Sequence, residues 1–146
     1  MAYTLQAIIT TAGALPAPLP ASLRLVALRG GVDMVPIGNA ALKAHALPFL
    51  PLTDEGNEGL PLEIVELCER LSTEGSLAYI EAEFFGGLGA QAHALFASGK
   101  QVGQVVVSDV AINEALRHLG VQKGDADDEF DAVGLGQRRN TDDWLL

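Results

Sequence analysis

Residues 77–107 constrain the fold more than any other part of the chain. LAYIEAEFF (77–85) alternates Ile80, Ala82 and Phe84 against Glu81 and Glu83, the period of a strand. Gly86-Gly87-Leu88-Gly89 turns it, AQAHALFA (90–97) returns, Ser98-Gly99-Lys100 turns again, and VGQVVV (102–107) follows. Connections this short cannot carry a parallel crossover, so the three strands form an antiparallel meander.

The flanking segments supply more strands and the helices. YTLQAII (3–9) reads as a first strand, and AGALPAPLPA (12–21) as an extended connector because Pro16, Pro18 and Pro20 forbid regular structure. LRLVAL (23–28) and VDMVPI (32–37) read as a hairpin across Gly30-Gly31, with Pro36 pushing the second strand to an edge. Asn39 is placed to cap a short helix over 40–46. Residues 48–61 are loop by their Pro and Gly content. A helix over 61–73 starts at Pro61, buries Leu62, Val65, Leu67, Cys68 and Leu71, and ends at Gly75. Asp109 is expected to cap a second one, 110–119, stopped by Gly120. The class is α+β: a mostly antiparallel sheet with two main helices packed on it, in one domain spanning 1–146.

The last stretch, 121–146, is irregular but not of disordered composition. Asp125 to Asp131 holds five acids in seven residues, yet Phe130, Val133, Leu135 and Trp144 are residues of buried type. An ordered tail docked on the domain is expected. Asp125, Asp127 and Glu129 have the spacing that opens a calcium loop, but Phe130 and Gly136 stand where that loop needs Gly and Glu. Pairing of the acids with Arg138 and Arg139 is the plainer reading. Trp144 suits two roles, a partner anchor or a lock of the tail onto the chain's own core, and the lock is favoured.

Charge narrows the function. Residues 1–53 sum to +2 and residues 54–146 to −12, for a net charge of −10. That balance argues against nucleic acid and anionic membrane surfaces as partners; the negative part can speed association with a basic protein, while a solvated face that only aids solubility is the plainer reading. Cys68 is the single cysteine, so no internal disulfide forms. The opening MAYTLQAIITTAGALPAP has neither the basic segment nor the apolar length of an export signal, which makes cytoplasmic placement the expectation.

No catalytic constellation stands out. Glu81 and Glu83 on one strand with His93 on its neighbour offer two carboxylates and an imidazole, a set suited to metal or acid–base work. Alternation makes theirs the solvent face, where charge is ordinary, and that is the plainer reading. The Gly-rich turn at 86–89 joins two strands and lacks the helix start that receives phosphate. His118 in a last helical turn favours the helix dipole.

The strings YIEAEFFGGLGAQ (79–91), AINEAL (111–116), DEFDAVGLG (128–136) and TDDW (141–144) resemble small bacterial proteins loosely associated with immunity proteins of polymorphic toxin systems. The resemblance covers 79–144 and implies a bacterial cytoplasmic protein; it assigns no residue a role. The leading expectation is therefore a non-enzymatic, cofactor-free inhibitor of a basic toxin. Its contacts would be Glu81, Glu83, Asp127, Asp128 and Asp131 as charge, with Phe85 and Trp144 as apolar anchors. The alternative is a metal-dependent enzyme or metal-binding protein using Glu81, Glu83 and His93. Self-association through the edge at 32–37 is a third possibility.

Overall fold

The computed structural model describes residues 2–86 and 88–146. Its centre is a six-stranded sheet built from β1 (Ala2–Thr11), β2 (Val26–Ala27), β3 (Val32–Pro36), β4 (Ser76–Phe85), β5 (Leu88–Ala97) and β6 (Lys100–Ser108). The spatial order is β2-β3-β1-β4-β5-β6, and every neighbouring pair is antiparallel. The β4–β5–β6 meander is as the turns require. Ser98 and Gly99 both take positive φ, 52° and 78°, the geometry of a two-residue turn that matches strand twist.

Four helices complete the α+β domain: α1 (Asn39–Ala44), α2 (Leu62–Leu71), α3 (Ala111–His118) and α4 (Glu129–Val133). They divide between the two faces of the sheet. One face carries Ile8, Val35, Tyr79, Ala92, Ala94 and Phe96 and is covered by α1, α2 and the 47–52 loop, through Ala41, Leu47, Leu52, Ile64, Leu67 and Cys68. The other carries Leu5, Ala7, Ile9, Met34, Ile80 and Ala82. It is covered by α3, α4 and the tail, through Ile112, Ala115, Leu116, Val133 and Leu135. A central strand of such a sheet is buried on both sides, and at about 25 cal/mol per Å² of apolar surface removed from water both cores drive folding.

Several local expectations are corrected. The strand expected over 23–28 shrinks to Val26–Ala27. The inward stripe of α2 is Ile64, Leu67, Cys68 and Leu71, and Leu62, two residues before Ile64 and so on the other side of the helix, is 65% exposed. Asn39 does not cap α1 with its side chain; its N–H donates to Asp142 Oδ1 of the tail at 3.1 Å. Asp109 does not cap α3 either. The Ile112 N–H donates to Gln91 Oε1 at 2.9 Å, so a β5 side chain satisfies that helix start. The 32–37 strand is not the open edge, since β2 pairs with Met34 and Asp33.

The tail is ordered and closes the sheet. β3 pairs only with residues 7–11 of β1, leaving the earlier half of that edge open. Residues 139–141 fill it: Thr4 N–H donates to the Arg139 carbonyl at 2.8 Å, Gln6 N–H donates to Thr141 Oγ1 at 3.0 Å, and Thr4 and Asn140 form a parallel bridge. Gly38 permits this approach, because a Cβ there would collide with Asp142 Oδ1 and Leu145 Cδ1.

Candidate functional site

Glu81 is not on a solvent face. It lies at the middle of β4, pairs with Gln6 on one side and Ala92 on the other, and is fully buried. Leu52, Thr53 and Tyr79 donate to its carboxylate. Leu52 N–H reaches Oε1 at 3.1 Å, Thr53 N–H and Thr53 Oγ1 reach the same oxygen at 2.9 and 3.0 Å, and the Tyr79 hydroxyl reaches Oε2 at 2.6 Å. Gln6 extends the array, donating to Tyr79 Oη at 2.9 Å and the Pro48 carbonyl at 3.0 Å while accepting from Leu50 N–H at 3.2 Å. Burial pushes the Glu81 carboxyl above its ordinary value, and the donors from Tyr79, Thr53 and Leu52 pull against it. Burial and the neighbouring Glu81 likewise push the Tyr79 hydroxyl well up. This arrangement pins the 48–53 loop to the sheet, with Glu81's lone pairs already occupied by that loop.

Glu83, one pleat further along the same face, reaches the rim. It shares a hydrogen bond with Asp54, and burial, then Asp54, then Glu81 raise its carboxyl. Beside it the β4–β5 hairpin ends in Phe85 and Leu88, directly paired and 76% and 79% exposed. Glu83, Phe84, Phe85, Leu88, Ala2 and Thr4 line a surface cavity of about 320 Å³. Carboxylates and two exposed apolar side chains thus meet at one end of the sheet.

His93 does not join them. It pairs with Ile80, so it points to the opposite face from Glu81, toward α3. It is buried and its Nδ1 has no hydrogen-bond partner. Burial lowers its basicity, with Glu114 acting against that and His118 with it. The proposed Glu81–Glu83–His93 set is therefore split by the sheet itself. Among the described residues no group of three His, Cys, Asp or Glu side chains is arranged to hold a metal.

The tail acids divide by role. Asp128 caps α4, accepting from Asp131 N–H at 2.8 Å, and accepts from Asn113 Nδ2 at 3.3 Å. Glu129 is buried and pairs with Arg117 at 3.2 Å. Asp127 and Asp131 are exposed. Phe130, next to Asp131, lies 5.6 Å from the Tyr3 ring, which lies 5.9 Å from Phe84, so this part of the tail is on the face of the sheet opposite Glu83. Trp144 packs on the second core with Arg138 over its ring at 5.9 Å, the locking role.

Sequence reasoning missed Gln6, Thr53, Asp54 and Leu88. The available signal was β1: an unbroken AII run (7–9) marks a sheet covered on both faces, so the adjacent Tyr79-x-Glu81 pair had to be buried and satisfied. None of the family descriptions, curated proteins or solved structures compared with the chain matches it.

Proposed function

We propose that the chain is a non-enzymatic protein-binding module, an immunity-type inhibitor whose contact surface is the β4–β5 hairpin end of the sheet. The observation that carries this reading is the pairing of exposed Phe85 and Leu88 beside the Glu83–Asp54 carboxylates; Asp127 and Asp131 add exposed charge from the tail on the opposite face. Apolar anchors beside paired carboxylates fit a basic partner. The anchors supply buried area, and the acids steer encounter and exclude acidic competitors. Resemblance of 79–144 to immunity proteins supports the same reading, and the partner class it suggests is a basic toxin. Asp128 leaves the contact set, being committed to α4, and Trp144 leaves it as part of the core.

The test compares captures from the native lysate by three immobilised proteins: wild type, Phe85→Ser/Leu88→Ser and Asp127→Lys/Asp131→Lys. The expected result is one stoichiometric basic protein held by wild type, lost from the first variant and captured more slowly by the second. Equal capture by all three, or no stoichiometric partner, refutes the reading.

A further inference from the structure

The two edges of the sheet are protected very differently. On one side β2 is two residues long, and Pro36 lacks an N–H just beyond its cover. On the other side β6 runs nine residues and pairs only with β5; among the described residues no strand lies along its outer edge. Gln101 to Ser108 contains no charged residue, although the chain carries −10 overall. Lys100 and Asp109 stand at opposite ends of this neutral strip.

We propose that β6 pairs antiparallel with β6 of a second copy about a two-fold axis through Gln104, joining two sheets into one. Three observations fit a second copy. Antiparallel self-pairing sets Lys100 beside Ser108 and Asp109 of the other chain, so the ends are complementary, and the paired strands themselves, 101–108, bring no charge to the seam, although Glu58 of the neighbouring loop borders it beside Gln104. The faces also agree. Val102 and Val106 lie across from Leu95 and His93 on the α3 side, while Gln101 and Val107 lie across from Phe96 and Ala92 on the α2 side. A perpendicular two-fold must oppose residues of one face, and this register sets Val102 against Val106 and Gln101 against Val107. Finally, β6 is bulged: Gly103, Gln104 and Val105 stand against Ala94 alone. A straight foreign strand loses register there, whereas a second copy brings the same bulge to the axis.

Sedimentation equilibrium of the full chain tests this, alongside mild oxidation of Gln104→Cys and Gln122→Cys. Cys68 is buried and leaves the oxidation readout clean. Wild type is expected at twice 15.3 kDa. Gln104→Cys is expected to form a disulfide-linked dimer, since residues on the axis oppose themselves at about 5 Å between Cα atoms, and Gln122→Cys is not. Val102→Lys/Val107→Lys changes two exposed side chains and should give a monomer with unchanged circular dichroism. A wild-type chain that stays monomeric up to about millimolar concentration, equal cross-linking of both cysteine variants, or a dimer that survives the double lysine change overturns the proposal.

Discussion

Tyr79→Phe tests whether the polar array beneath the 48–53 loop stabilises the domain. The change removes one oxygen and preserves the ring that packs in the first core. It deletes the 2.6 Å bond to Glu81 Oε2 and the 2.9 Å bond from Gln6 Nε2. Glu81 Oε2 then keeps only a 3.2 Å contact from Leu52 N–H, which is shared with Oε1. A hydrogen bond to a charged group contributes about 1.5–3 kcal/mol and a neutral one about 0.5–1.5, so the combined loss is about 2–4 kcal/mol. With a urea dependence of about 2 kcal/mol per molar, the unfolding midpoint should fall by about 1–2 M. The effect also carries a pH signature. Glu81's carboxyl lies above its unfolded value of 4.5, so its contribution is full below that value and declines as pH rises through the folded one. The Tyr79 bond holds the folded value down. Removing it raises that value further, and the penalty must be larger at neutral pH than near 4.5. Urea titrations at both pH values give the answer: a midpoint within about 0.2 M of wild type, or a penalty larger in acid, refutes the reasoning.

His93→Leu removes a buried ring nitrogen that lacks a partner and should stabilise the domain by about 1 kcal/mol at neutral pH. Because His93 is less basic in the fold, wild type loses stability as pH drops below 6.5, so the advantage of the variant should widen in acid; a gap independent of pH contradicts this. Gly38→Ala places a methyl group against the side-chain ends of Asp142 and Leu145, which must turn away, so the cost is that of the 3.1 Å Asn39 N–H bond to Asp142, about 0.5–1.5 kcal/mol, with a loosened tail. Trp144, the only tryptophan, reports the movement, and unchanged emission of the folded variant would mean the tail stays docked.

Local sequence signals were a good guide where one interaction decides the outcome. The Gly-bounded meander, the two main helices and the buried Cys68 follow from turn chemistry and periodicity. Failures came where partners are distant in sequence. Helix starts illustrate it: Asn39 and Asp109 are the right residue types, but Gln91 supplies an acceptor to α3 and Asp142 one to the start of α1. Glu81 illustrates it more sharply. A charged residue in an alternating strand normally faces water, and only the loop folding back from 48–53 makes burial affordable. His93 falls on the face opposite Glu81 because β5 pairs it with Ile80, and a single-residue shift of that register, invisible in the sequence, would reverse the face.

The tail's place beside β1 also fixes when the fold can be finished. Residues 4 and 6 belong to the first strand, yet their partners on that edge are residues 139 and 141. During synthesis at about 5–20 residues per second, the hairpins and both main helices are available seconds before those partners leave the ribosome. The early half of β1 must wait in that interval with its backbone groups facing water or a chaperone. Any change that slows synthesis of residues 119–141 lengthens the time this nascent edge is open to pairing with another chain.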